Sequence, residues 1–496
     1  MTSPVRVLAV GAAAPARRLA ATDVAAAWGR GGGRGQVGVC APDEDVLTLS
    51  AEAASRAMAA SGLENDVVDG LWWGTTRPPF VEGPSHAVLA SALGLSAHSG
   101  GALCSGSPHA GMDALLGAYD AIAAGSARVA LVVAGDALVP GPGTTFEERA
   151  GAGAAAVVLV SEGGHASLPA RVTRTHPFLD RYRSDADDGT RDLYDARLFR
   201  EEIFLPVVQE VGEQLASLDI DEWSLPDPDG RLGATAARKL GGGAPASAIV
   251  YAAIGDTGAA APLLGALGSL DAARSVAVVG FGGGRATGIV INADGPVAGA
   301  ATVGDAWAGG QSISYAEALR ARGQLEATGE TIPMGVPPES ALFVRGAEEM
   351  LGLLGARCVD CGTINTPPTI HPHCISCGST KFVLVSLARR GVVHTFVVNH
   401  TMPPPFEAPL PLAVIDLADG ARVMLQVIGD GSDMRIGADV ELVLRRYAFE
   451  RGVPVYGFKA RVVADATGDA ETAALPTVAA EPESATAPRD PKSSEG

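Results

Sequence analysis

Two cysteine pairs and one isolated cysteine are the residues of this chain whose types and spacing point to chemistry. Cys358-Val-Asp-Cys361 and Cys374-Ile-Ser-Cys377 are each followed by a glycine, Gly362 and Gly378. That spacing predicts two knuckles closing one tetrahedral Zn²⁺ site. Four thiolates complete the coordination and leave no open position, so the site is expected to be structural. A redox Cys-x-x-Cys is the competing reading, and two matched pairs at ribbon spacing favour the metal. His371 and His373 lie between the pairs, either replacing a cysteine ligand or standing exposed in the loop. Metal binding contributes on the order of 10 kcal/mol to folding a small module. This segment carries too little apolar sequence to fold otherwise.

The other two cysteines are Cys40 and Cys104. Cys104 lies in Gly101-Ala-Leu-Cys-Ser-Gly-Ser-Pro-His-Ala-Gly-Met-Asp-Ala-Leu115, flanked by small residues just ahead of a helix-like stretch. Backbone N–H groups at a helix N-terminus lower a thiol's pKa and receive an oxyanion, the setting of a thiolate nucleophile. The alternative is a small buried hydrophobe, and the local sequence leaves both readings open. Cys40, in Gly-Val-Cys-Ala-Pro, has no comparable setting and reads as the buried hydrophobe.

The elements that must position these thiols fall into separate regions. A chain of 496 residues exceeds one ordinary core, so two or three domains are expected. Up to about Ala293, short apolar runs alternate with Ala-rich helical stretches. Arg6–Val10, Gly70–Trp73, Val129–Val133, Ala155–Val160, Ala248–Ala252 and Val276–Val279 read as strands. Leu49–Ala60, His109–Ala124, Phe199–Ala216 and Thr235–Leu240 read as helices, so this rhythm predicts an α/β domain with a mainly parallel sheet over residues 1–295. Residues 296–355 read as a connector with a helix, Tyr315–Arg322, and an extended stretch near Pro333–Pro338. The ribbon takes residues 356–380. Over 381–464 the runs Gly391–Val398, Pro411–Leu417, Arg422–Ile428 and Val440–Leu444 fit a small five-stranded barrel. Residues 465–496 have no apolar periodicity and are expected to form a disordered tail.

A formal charge of −19 argues against nucleic-acid binding, which requires a basic surface. The longest apolar runs, such as Val129–Ala134 and Ala154–Val160, are too short to span a bilayer. The first residues lead into a strand-like run without the pattern of a secretory signal, so the cytoplasm is the expected compartment.

From Ser312 to about Val463 the order helix, double knuckle and barrel resembles the DUF35 family of acyl-CoA-associated OB-fold proteins. The resemblance is carried by Ser312-Ile-Ser-Tyr-Ala-Glu-Ala-Leu-Arg-Ala-Arg-Gly323, the two knuckles and Met434-Arg-Ile-Gly-Ala-Asp-Val440. OB-folds that bind single strands use aromatics and basic residues. Here aromatics are few and charges nearly balance, so a partner or acyl-CoA role is the better reading.

Residues from about Val5 to Ile291 resemble the thiolase superfamily, most closely its HMG-CoA synthase branch near the ketoacyl synthase III enzymes. The segments, in order, are Pro42-Asp-Glu-Asp-Val, Gly74-Thr-Thr-Arg-Pro-Pro-Phe-Val-Glu-Gly-Pro-Ser85, Leu103-Cys-Ser-Gly-Ser107, Ala134-Gly-Asp-Ala137 and Phe146–Ala156. They continue with Pro226-Asp-Pro-Asp-Gly-Arg-Leu232, Ile254-Gly-Asp-Thr-Gly258 and Gly280–Ala286. The resemblance implies a five-layer α-β-α-β-α domain of two similar halves, dimerising through its sheets. It also places the nucleophile on Cys104. The family's glutamate falls on Thr76, its histidine on Pro226 and its loop asparagine on Asp256. Neither Thr76 nor Pro226 exchanges protons near neutral pH, and no histidine lies between His176 and His371.

Substitutes for the lost groups are Asp256, which replaces a residue near the family's acyl site, and His109 beside the nucleophile turn. His176, Asp227, Asp229, Tyr182, Tyr194 and Tyr251 are further candidates, each with a plainer role as loop, turn or packing residue. Three functions follow. The first is a divergent acyltransferase or Claisen-type synthase, fitting specialised metabolism, that carries an acyl group on Cys104 from acyl-CoA or acyl-carrier protein. The second is a thiolase-fold aldolase or lyase acting on an acyl-CoA beside a DUF35 module, as in steroid side-chain degradation. The third is a non-catalytic scaffold subunit of a thiolase or synthase complex. A homodimer or larger assembly, in some cases with another thiolase, is expected for all three.

Overall fold

Alternation along single strands sets the layering in the computed structural model, which describes residues 4–31, 33–192, 195–325, 346–402, 408–450 and 453–463. Pro333–Pro338, Tyr194 and the expected tail from 465 lie outside the described residues. Nine strands form one sheet: β1 (Arg6–Ala13), β2 (Gly70–Thr75), β3 (Gly100–Ser105), β4 (Val129–Ala137), β5 (Ala152–Val160), β6 (Ala166–Thr175), β7 (Glu222–Ser224), β8 (Arg274–Gly282) and β9 (Arg285–Ala293). Their order is β7-β8-β9-β6-β1-β5-β4-β2-β3. The halves β1-β5-β4-β2-β3 and β7-β8-β9-β6 join where Arg6 and Val7 pair with Ser167 and Ala166.

In β4, Leu131 and Val133 pack into an outer layer with helix α1 (Val46–Ser61). Ala130, Val132 and Ala134 face a central layer holding α2 (Ala110–Ala123) and α3 (Ala261–Gly268). In β8, Val276 and Val278 face the same central layer, while Ala277 and Val279 pack under the helix Leu205–Leu215 on the far side. Helices, half-sheet, helices, half-sheet and helices thus alternate in five layers. Alanine and glycine at the closest approaches let helices sit near the strands. At Gly74, an added Cβ would lie 2.3 Å from the Ala110 carbonyl oxygen.

Two expectations need correction. The sheet is mixed, not mainly parallel. β3, β2 and β4 run parallel, as do β7 and β8, whereas β1, β5, β6 and β9 pair antiparallel to their neighbours. Short returns such as Gly282–Arg285 between β8 and β9 leave no room for a crossover helix. The run Ala248–Ala252 is helical, within Ser247–Ile254. A short apolar stretch does not declare its period, and here Val250 and Ile254, four apart, are buried while Ile249 is 70% exposed.

Residues up to Val462 belong to one compact unit. Within it, the described part of 296–355 lies on the first domain. Gln311–Ile313 pairs with Arg17–Leu19, and Ile313 and Ala318 join the small core of Leu19, Val24 and Val37. Leu354–Cys358, Ile364–Asn365 and Phe382–Ser386 form the ribbon sheet. The barrel strands are Arg390–Asn399, Leu410–Leu417, Arg422–Gln426, Asp439–Glu450 and Val453–Val462, and a bridge from Val427 to Ala460 links the two edge strands of their sheet, Arg422–Gln426 and Val453–Val462.

The barrel docks on the acidic run that opens α1. Arg445, 2% exposed, lies 3.0 Å from Glu44 and 3.7 Å from Glu52. Arg461 donates to Glu52 at 2.9 Å, Lys459 to Asp43 at 2.9 Å and the Tyr456 hydroxyl to Asp45 at 2.6 Å. Asp45 also caps α1 through Leu47 and Thr48, so one residue starts the helix and holds the barrel. Burial pushes the Glu52 carboxyl up, but Arg461, Arg56 and Arg445 outweigh it and hold the group below the usual range.

Candidate active site and metal centre

Cys104 is the last residue but one of strand β3, paired across to Gly74 of β2, which pairs in turn with Ala134 of β4. Leu103 packs toward the outer layer and Cys104 into the central one, so the thiol lies half-buried on the face between the half-sheets. The chain then turns at Gly106, with φ of +94°, before α2 begins at Ala110. The expected helix-start setting is therefore corrected: the sulfur stands on a strand end with a turn between it and the helix. Burial and then the Asp113 carboxylate push its pKa up, with Arg285 opposing.

His109 precedes the first residue of α2 and is fully buried. Its Nε2 shares a 2.9 Å hydrogen bond with the Thr287 hydroxyl, and its Nδ1 lies 3.2 Å from Asp113. Asp113 also pairs with Arg285 at 2.6 Å. Burial raises the Asp113 carboxyl, but His109 and Arg285 outweigh it and lower the net value. His109 thus ties α2 to β9 and sits in a charged chain beside the nucleophile turn. Asp113 and Arg285 escaped the sequence reading; the four-residue spacing of His109 and Asp113 on a helix was the signal for the first of them.

Thr76 donates from both its backbone N–H and its hydroxyl to Asp136, at 2.7 and 2.8 Å. Thr75 adds a bond at 2.9 Å, and the Ala259 N–H reaches the other oxygen at 2.7 Å. Burial nevertheless pushes Asp136 up to about 6. A carboxyl raised by burial therefore lies against Thr76, the position on which the resemblance places a glutamate. Sequence reasoning placed Asp136 in a matching segment and assigned it no chemistry.

Pro226, Asp227 and Asp256 line one pocket with Pro108 of the nucleophile turn. Asp256, 5% exposed, accepts from Arg181 at 2.7 Å and from the Gly258 N–H at 2.8 Å. The Arg181 guanidinium stacks 4.6 Å above the Phe146 ring. Asp227 is pushed up to about 6 by burial, with the Gly233 N–H pulling the other way. Asp229 accepts from the backbone N–H groups of Arg231 and Leu232 in the turn ahead of the helix Leu232–Lys239, the turn role expected of it. His176 lies against Phe178 with ring centres 6.1 Å apart. Burial raises the Tyr251 phenol, and Asp256 raises it further. Cys40 is half-buried against the outer core, and burial lifts its thiol well above the usual value.

In the ribbon, the sulfurs of Cys358, Cys361, Cys374 and Cys377 all lie within 4.8 Å of one another. Cys358 and Cys377 are 3.6 Å apart, Cys361 and Cys374 3.5 Å. Around a metal with sulfur bonds of about 2.3 Å, a tetrahedral edge is about 3.8 Å, so the four thiols fit such an ion. His371 and His373 are not part of the cluster. Asn365 points its amide nitrogen at Cys374, 3.9 Å away, and accepts from the Ile375 N–H at 2.9 Å, bracing the second knuckle.

Residues 384–445 match the family profile described as "ChsH2, C-terminal OB-fold domain". A DUF35 domain-containing scaffold protein of Methanocaldococcus jannaschii is 38% identical over 121 residues, covering 23% of this chain and 84% of that protein. The chain belongs to the DUF35 family. Its first part is similar to the hydroxymethylglutaryl-CoA synthase of Archaeoglobus fulgidus, 25% identical over 296 residues, or 56% of this chain and 85% of that enzyme. The fold is that of the HMG synthase of the curacin biosynthetic pathway, solved in complex with an acetyl donor-ACP. The TM-score is 0.58 at 17% identity, over 70% of this chain and 95% of that one. This DUF35 protein is thus a fusion, a thiolase-fold domain followed by a cysteine ribbon and an OB-fold. Among its described residues, no helix is long and apolar enough to cross a membrane.

Proposed function

We propose that this DUF35 fusion is an acyltransferase, or Claisen-type synthase, that carries its acyl group on Cys104. The observation that carries the reading is the placement of Cys104: a half-buried thiol at a strand end, facing the layer between the half-sheets. Attack of its sulfur on a donor thioester forms the new S–acyl bond and breaks the old one, and the Cys104 proton leaves with the donor thiol. The donor is acyl-CoA or an acyl-carrier protein. Arg34, Arg149 and Arg231 line an open pocket of about 380 Å³ with Glu148, Asp229, Gly230 and Tyr251, and the three guanidiniums outnumber the two carboxylates, which suits a phosphate-bearing arm. Zn²⁺ is the metal proposed for the ribbon, in a structural role, because an all-thiolate tetrahedral set leaves it no open position. The cytoplasm is the proposed compartment and a homodimer the proposed minimal assembly.

Proton chemistry differs from HMG-CoA synthesis, with Asp256 and His109 the first candidates for the missing histidine and glutamate. Asp256 is held by Arg181 and His109 by Thr287, so each is positioned more firmly than a turn residue. Mass spectrometry after incubation with acyl-CoAs or acyl-carrier proteins tests the reading. A stoichiometric adduct on Cys104, absent from Cys104→Ala, is expected. Failure of every donor to acylate Cys104 overturns it.

A second reading, the scaffold subunit, is favoured by Thr76 and Pro226 and by the similarity to a scaffold protein. Its signature is the absence of both adduct and turnover together with tight binding to another thiolase. Turnover that survives Cys104→Ala instead marks the aldolase or lyase.

A further inference from the structure

The pocket beside the nucleophile turn is built for positive charge. Asp180, Asp227 and Asp256 line it, and Arg181 is the cation among the lining residues, already engaged by Asp256 at 2.7 Å. Pro108, Pro226, Pro228 and Pro262 make up much of the wall, and a proline has no N–H to offer an anion. Asp227 is 8% exposed, and its Oδ1 is buried without a hydrogen-bond partner among the described residues. Its other oxygen faces Gly233 at the start of the helix Leu232–Lys239. A buried acceptor left in that state is unfavourable, and a donor placed against it removes the cost. The cavity measures about 20 Å³, room for one water-sized group and too little for an acyl chain.

We propose that this pocket binds the ammonium head of a primary amine, with Asp227 Oδ1 accepting one of its N–H bonds. An ammonium is water-sized, carries only donors and is favoured by the excess of carboxylates. A carboxylate or phosphate ligand meets the opposite field. On the acyl-transfer reading, on which this next step rests, the amine is the acyl acceptor. Asp227 takes one ammonium proton, and the freed nitrogen bonds the carbonyl carbon of the Cys104 thioester. The carbon–sulfur bond breaks, and a second nitrogen proton passes to the departing thiolate. The products are an amide, the Cys104 thiol and protonated Asp227, which returns its proton to solvent.

The test is titration of the full-length protein at pH 7.5 with n-butylamine, n-butanol and butyrate, followed by ligand-observed NMR. Saturable binding of the amine is expected, with alcohol and butyrate binding at least tenfold more weakly. Asp227→Asn, which keeps the side chain's shape, is expected to weaken amine binding at least tenfold. Selectivity of the unmodified protein is the first readout, so the test does not depend on folding of the variant. Equal binding of amine and alcohol, or no saturable binding, overturns the inference and leaves water as the occupant. Amine binding without any Cys104 adduct keeps the site and removes the acyl-transfer reading; a Cys104 adduct without amine binding does the reverse.

Discussion

Five thiols of this chain occupy two contrasting settings. Those of Cys358, Cys361, Cys374 and Cys377 draw their surroundings from one another and from near neighbours, within a segment of the chain shorter than most domains. Cys104 draws its surroundings from Gly74 and Arg285, on two other strands, and from Asp113 on α2. A local site is specified by spacing and is all-or-none, because each ligand removed exposes the rest. A long-range site is specified by packing and is graded, because each neighbour shifts the thiol's acidity by a part.

That contrast can be broken or sharpened experimentally. The largest effect is expected from metal removal. A strong chelator should unfold the ribbon and loosen the barrel, with a cost on the order of 10 kcal/mol, while the central sheet keeps its circular dichroism. Loss of the sheet at the same chelator concentration breaks the distinction between a local site and its surroundings. Next comes the joint between the two regions. Arg445→Ala leaves Glu44 and Glu52 buried without their shared partner, and a loss of about 3–5 kcal/mol is expected in denaturant unfolding. The two carboxylates carry opposite signs with pH. Glu52, held low in the fold, gives stability that is present above the ordinary carboxylate range and lost as pH falls through its folded value. Glu44, raised by burial, opposes folding above its folded value and ceases to do so as pH falls. The smallest effect concerns Cys104 itself. Asp113→Asn removes a charge that raises its thiol, so iodoacetamide alkylation at pH 8 should speed up by as much as about tenfold, equivalent to one pKa unit. An unchanged rate shows that Asp113 does not set the thiol's acidity.

Legibility followed the same division. The double knuckle was plain because metal ligation fixes ligand identity and spacing together, and the closed cluster of four sulfurs is what the spacing asked for. The barrel runs were legible through their alternation and turn residues. Ala248–Ala252 was misread because its length suits either element and neighbouring packing chose the helix. The direction of the strands was misread because pairing is set by the length and geometry of returns, not by strand composition. At the candidate active site, Cys104 was named from its local setting and then from resemblance, Asp256 from resemblance, and His109 from its place beside the nucleophile turn. Asp113, Asp136, Arg181 and Arg285 acquired their importance from contacts such as the 61-residue separation between Thr75 and Asp136.

By itself, the sequence determined the residue inventory: four paired cysteines at fixed spacing, one isolated cysteine among small residues, and a chain lacking histidine between His176 and His371. These are covalent facts, and local chemistry follows from them directly. Tertiary structure alone decided that Cys104 lies near the end of a strand instead of starting a helix, and that Asp113 and Arg285 oppose each other beside it. It also decided that Asp227 is buried with one oxygen unpaired. The physical reason is that desolvation and charge act through space. An aspartate in a Pro-Asp-Pro-Asp-Gly turn looks exposed on paper, and only packing takes away its water.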